Sequence, residues 1–516
     1  MSLADRSRVP SPDTALERLA LDRPGRRMLA GVPEGLDGRV LAQLAGRAQM
    51  LHVCVDDARM ARLVEALGFF APALEIVTLP AWDCLPYDRV SPHRDIVARR
   101  IDALGRLTEP QPTQSTRPHP LLVTTVAALL QRLPPQESFT GALLALAEGT
   151  ELGPQKLVEF LAANGYARSG TVAEAGEFAV RGGIVDLFPP GAAAPLRVDF
   201  FGDEVEAIRE FDPLSQRSAG RLPRFVIRPV SELKLDAESI ARFRSGYRER
   251  FGTVSDDPLY EAVSAGRLYP GLEHWLPLFL TGMETLLDYL PAAVISLDHQ
   301  AEEAIQARFD TIADFYQARA QLMRSGKGDG AAVYRPLPPD SLYLGRTEFE
   351  QRLKSRNIIA FSPFAAAGSE VDAGGRRGQD FAEARTRPEV SLYDAVRERV
   401  VAEQGQGRQV VIAAVSPGSR DRLEHVLGDH GLARRQAVAD GAAVEALPSG
   451  VLGFATLGLE HGFTAKDIAV IAEQDILGDR MARPAKKRAK ADRFLTELAS
   501  FAGGDFVVHV EHGVGR

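Results

Sequence analysis

At 516 residues the chain is too long for one hydrophobic core and is expected to hold about three domains. An apolar share of 45% and a charged share of 25% describe a water-soluble globular protein, and the net charge of -8 excludes a wholly basic nucleic-acid coat while leaving room for a local basic patch. Cys54 and Cys84 are the only cysteines, so no disulfide framework is built, and the charged, proline-bearing N-terminus is no signal peptide. No apolar run reaches the roughly 18 residues of a membrane span, so a soluble, cytoplasmic protein with no membrane partner is expected.

Residues 1–142 mix helix and strand. Met50 to Val55 reads as a buried strand, Asp57 to Leu67 as a helix and Ala73 to Leu79 as a second strand stopped by Pro80, a βαβ spacing that implies a parallel sheet. Leu121 to Thr125 is a further strand. Such a sheet keeps a phosphate loop at a β-α junction, and the glycine-bearing stretch Gly31-Val32-Pro33-Glu34-Gly35-Leu36-Asp37-Gly38 invites that comparison. A working loop needs a lysine on the phosphates and a hydroxyl on magnesium; here Asp37 and Gly38 stand at those positions, and an aspartate repels a triphosphate. Gly31, Gly35, Asp37 and Gly38 therefore read as a degenerate loop, a turn before a helix, and Ser325 to Asp329 reads as a flexible loop. No catalytic residue, metal or cofactor is expected here. After Pro80, Trp82 and Tyr87 read as core under a loop, followed by a helix from about Ile96 to Leu107.

Residues 143–228 read as a β meander. Leu196 to Phe201 alternates, placing Leu196, Val198 and Phe200 on one face and Arg197, Asp199 and Phe201 on the other; Gly202-Asp203 then turns into Glu204 to Phe211. The first face is ordinary core. On the second, a large aromatic lies among charged groups, which marks either a protein-binding hot spot or a ring covered by a neighbouring loop.

The segment Gly176-Glu177-Phe178, Arg181-Gly182, Val185-Asp186-Leu187-Phe188-Pro189, Arg197, Asp199-Phe200-Phe201 and Asp203-Glu204-Val205 resembles the UvrA-binding domain shared by the excision-repair protein UvrB and the transcription-repair coupling factors. The resemblance implies that Arg181, Arg197 and Phe201 meet UvrA. It implies an α/β multidomain architecture: a degenerate P-loop-type parallel-sheet domain, an inserted β-rich UvrA-binding domain and a second small α/β domain. UvrB has a tyrosine-rich hairpin after the Pro80 position, whereas only Tyr87 stands here, so damage verification is not expected.

Residues 229–345 turn helical, and Gly271 to Phe279 resembles the return of the family's chain to its first domain. Residues 360–478 read as the small α/β domain: a helix capped by Ser391 with Leu392, Val396 and Val400 in one stripe, a strand from Gln409 to Val415, a helix from Arg420 to Leu427 and a strand from Asp467 to Ala472. Ser416-Pro417-Gly418-Ser419 is too weak a signal for a phosphate turn. Residues 479–502 hold the basic run Arg480 to Arg493, a solvated linker or a nucleic-acid contact. Residues 503–516 resemble the start of the family's RNA polymerase-interacting domain; His509, Glu511 and His512 lack metal-site spacing. The chain is thus expected to be cut from a longer protein, an ATP- and Mg-dependent DNA translocase that displaces stalled RNA polymerase and recruits UvrA. Two other readings are a UvrB-like ATPase with a divergent phosphate loop and a DNA-binding module.

Overall fold

The computed structural model describes residues 16–108, 120–139, 143–252, 256–325, 333–365, 371–387, 389, 391–478, 507–509 and 513–515. The basic run and the Ser325–Asp329 loop, beyond the backbone of Ser325 itself, fall outside the described residues. Two compact units form: residues 1–377 with 463–467, and residues 378–462 with 468–516.

The first unit is built on a seven-stranded parallel sheet. Its strands are β1 (Gly25–Ala30), β2 (Met50–Cys54), β3 (Ile76–Leu79), β4 (Leu121–Thr125) and then, after a long insertion, three more. The inserted strands are β5 (Leu144–Ala147), β6 (Ala167–Arg168), β7 (Glu177–Arg181), β8 (Ile184–Leu187), β9 (Leu196–Phe201), β10 (Glu204–Phe211), β11 (Ser218–Leu222) and β12 (Arg224–Ile227); β13 (Val294–Leu297), β14 (Asn357–Phe361) and β15 (Val371–Asp372) complete the parallel sheet. Its order is β15-β1-β14-β13-β2-β4-β3. Every residue of β2, β4, β13 and β14 is buried, as continuous apolar runs must be when helices cover both faces. One such cover is the helix Asp57–Phe70, whose first turn is capped by the Asp56 carboxylate accepting from the Arg59 N–H.

The insertion starts with the β-rich part. Strands β6 to β11 make one sheet in the order β11-β10-β9-β8-β7-β6, antiparallel except for β6 against β7. Val185, Leu187, Leu196, Val198, Val205 and Ile208 line one face and pack with Leu157 and Leu161 of the helix Pro154–Ala163. The chain leaving this domain is tied back to the parallel-sheet part by Arg100, fully buried, which donates to Glu232 at 2.6 Å and to the Pro80 carbonyl at 2.8 Å.

A helical layer follows, with an aromatic cluster of Tyr87, Phe243, Tyr247, Trp275 and Phe279. Tyr87 and Trp82 are core residues, as the sequence indicates; Trp82 stacks under the Arg100 guanidinium. His274 is buried between them, edge-on to Trp82 and stacked on Tyr87. Burial lowers its pKa to about 4. The neutral ring is therefore favoured by folding, and that stability is present above the unfolded value near 6.5 and lost as pH falls through 4. Urea titrations of the chain are expected to lose about 3 kcal/mol from this group between pH 7 and pH 4, a slope that His274→Phe flattens.

The second unit holds a parallel array of Ile468–Ala472, Gln409–Ala414, Leu452–Thr456 and Arg435–Ala437 in that spatial order. Ser391 caps the helix Leu392–Gly405, and Val396 and Val400 are buried along it. Ser416 caps the helix Pro417–Asp429 by accepting from the Ser419 N–H at 3.2 Å, so the hydroxyl of the Ser416–Ser419 turn is spent on its own helix. The end of the chain, expected as one strand, pairs Val507–His509 antiparallel to Gly513–Gly515. Among the described residues no helix is long and apolar enough to cross a membrane.

Candidate docking surface and the glycine loop

The hairpin register decides which side chains of the inserted sheet can meet. Arg181 faces Ile184 across the β7–β8 turn, Ile184 faces Asp199, and Asp186 faces Arg197. The two-residue period then puts Arg181, Asp186, Arg197, Asp199 and Phe201 on the face opposite the core. Both turns at this end need glycine, because Gly182 and Gly202 have φ of 62° and 63° in the left-handed region. The turns are joined by the Phe200 N–H donating to the Gly183 carbonyl at 2.9 Å. Arg181 and Phe201 consequently stand at one end of one face.

The three positions differ in freedom. Phe201 is 80% exposed, and no loop among the described residues covers its ring. Arg181 is exposed and, among the described residues, donates to the Gly170 carbonyl and the Thr171 hydroxyl, both at 3.2 Å. Arg197 is engaged inside the sheet: it donates through Nε and Nη2 to both carboxylate oxygens of buried Asp186, at 2.7 and 2.9 Å, and lies 4.9 Å over the Phe211 ring. The bond to Asp186 raises the Arg197 guanidinium above its ordinary value. The solvated arginine inferred from strand alternation is thus half-buried, because alternation gives the face but not the partner strand that supplies an acid. A small apolar cluster of Val172, Ala179 and Phe211 covers the same part of the face.

At the other site read from the sequence, β1 runs into Gly31 and Gly35, both left-handed, and then into the helix Leu36–Ala45. The amides of Gly35 and Gly38, which a phosphate cradle would point at its anion, donate instead to the Asp37 carboxylate at 3.0 and 2.7 Å. Asp37 is buried against Arg59, and Arg59 Nε reaches Asp298 at 3.0 Å. Burial raises Asp37, and raises Asp298 to about 6; burial alone would lower Arg59, but the two carboxylates hold it above its ordinary value. The loop is also closed from the side: a Cβ on Gly31 would lie 2.1 Å from Asp372, and one on Gly375 would lie 2.5 Å from the Gly31 carbonyl. These glycines exist for close backbone packing. Arg59 and Asp298 have no mark in the sequence, and Asp186 enters there only within the resemblance; each is an ordinary charged residue until the fold brings its partner beside it.

Residues 144–233 match the family model of the UvrB interaction domain. Over 506 residues, 95% of this chain, it is 32% identical to the transcription-repair-coupling factor of Haemophilus influenzae and 31% identical to that of Escherichia coli K12; over 526 residues it is 30% identical to that of Myxococcus xanthus. The chain spans 42% of the length of these relatives. This chain thus matches the N-terminal portion of the transcription-repair-coupling factors and carries a UvrB interaction domain.

Proposed function

We propose that this chain serves transcription-coupled DNA repair by docking UvrA on the outer face of the β6–β11 sheet. The observation that carries the reading is an exposed phenylalanine, Phe201, held by a glycine hairpin at the same end of the face as the exposed Arg181, within a domain matched by the UvrB interaction model. An aromatic and an arginine on a rigid edge are the side chains that supply most binding energy in protein interfaces. Arg197 belongs to the surface as the residue that keeps its strands in register, its Nη1 making long bonds to the Gln216 carbonyl and the Ser218 hydroxyl, at 3.4 and 3.5 Å, which a partner can replace. The whole protein is read as an ATP- and Mg-dependent DNA translocase that engages DNA and, through the domain beginning near Gly504, RNA polymerase. This chain supplies recruitment and no catalysis; the filled loop around Asp37 supports that division over a drifted ATPase.

The test is UvrA binding by titration on a biosensor. Phe201→Ala and Arg181→Glu are each expected to weaken UvrA by about tenfold to a hundredfold, with unchanged thermal melting since neither side chain is buried. Wild-type affinity in both variants would remove the assignment.

A further inference from the structure

Behind the filled loop, at the carboxyl ends of β2 and β13, lies a second cluster, which shares Asp298 with the Arg59 ion pairs and adds His52 and Cys54, residues that no role above uses. His52 and Cys54 are two apart on β2 and so share a face, and Asp298 follows β13, where Ser296 is paired with His52. One ligand atom from each of His52, Cys54 and Asp298 lies within 4.8 Å of the others, and all three residues are buried. His52 Nδ1 meets the Ser296 hydroxyl at 3.0 Å, while its Nε2 is buried without a hydrogen-bond partner. An orphaned ring nitrogen in a fully buried histidine is costly unless something ligates it. With Nδ1 tied to a hydroxyl, the free Nε2 is the nitrogen a metal would take, the arrangement in which an outer partner orients a ligating imidazole.

We infer that His52, Cys54 and Asp298 bind one zinc ion. One imidazole, one thiolate and one carboxylate are ligands zinc accepts together, and a fourth position is left for a water or a second Asp298 oxygen. A tetrahedral ion needs ligand atoms roughly 3.5 Å apart, so side-chain adjustments of under about 1 Å assemble it. The charges also suit a dication. Asp37 and Asp298 outnumber the single cation Arg59 in this dry pocket; zinc displacing the Cys54 thiol proton brings the set to neutrality. Arg59 keeps Asp298 from swinging away, through Nε at 3.0 Å and Nη2 at 3.3 Å.

The experiment uses the whole 516-residue chain, purified from zinc-supplemented cells and also refolded with zinc or cobalt. Elemental analysis is expected to give about one zinc per chain, and cobalt to give a thiolate charge-transfer band in the near ultraviolet. Cys54→Ser should lose the band and at least nine-tenths of the metal, whereas Cys84→Ser, at the other thiol, should keep both. A wild-type chain without stoichiometric metal under both preparations, or a Cys54→Ser chain that retains it, overturns the site. Should Cys54→Ser not fold, the cobalt spectrum of the wild type decides alone: no thiolate band, no site.

Discussion

Arg59→Met is expected to destabilise the first unit by about 3–5 kcal/mol, read as a lower urea midpoint at constant slope. The guanidinium is the shared cation of Asp37 and Asp298, all three buried. In the metal-free chain its removal leaves two buried carboxylates without a counter-charge, and the cost is that of the uncompensated charges rather than of one lost pair. Asp37→Asn added to Arg59→Met should recover part of the loss, since the amide still accepts from Gly35 and Gly38 but carries no charge. A change below about 1 kcal/mol for Arg59→Met would mean that solvent enters the loop and that the site is not sealed by protein.

Arg197→Ala is expected to cost about 3 kcal/mol, nearly all of it from Asp186, which is buried and loses both of its guanidinium bonds. The double variant Asp186→Ala with Arg197→Ala should be more stable than Arg197→Ala alone, the coupling appearing in a double-mutant cycle. This pair of variants separates two roles. If the stabilised double variant recovers UvrA binding, Arg197 acts by holding β8 against β9; if it stays weak, the outer edge of the guanidinium contacts UvrA directly. Phe201 and Arg181 are simpler cases, because both side chains are exposed and the bonds of Arg181 to Gly170 and Thr171 lie at the surface.

Alternation in Leu196–Phe201, the Gly202-Asp203 turn and the strand Leu121–Thr125 were legible with their bounds, because each is decided by neighbours in sequence. Helix ends are less so: the pattern from Asp57 ends at Leu67 but the helix continues to Phe70, where Phe69 is buried and Phe70 meets the Phe463 ring. The exposure of Phe201 could not be decided from alternation, which is satisfied equally by a bare ring and by a covered one. Nor could the fate of Asp37. A carboxylate at the lysine position tells that a triphosphate is unwelcome; that it accepts the cradle's own amides requires the turn geometry, and its cation Arg59 comes from a different helix. The zinc site has no sequence signature at all, since its third residue follows a strand on the far side of the insertion.

The parallel sheet pairs Gly25 with Asn357 and Met50 with Val294, so its early and late strands meet only after the whole insertion has been made. On a ribosome, β1 and β2 must wait with unsatisfied edges, whereas the β6–β11 meander closes through neighbouring hairpins and is complete soon after its last residue emerges. The domain that docks is thus born before the platform that carries it. Chains released between residues 230 and 350 should show a protease-resistant meander flanked by digestible ends.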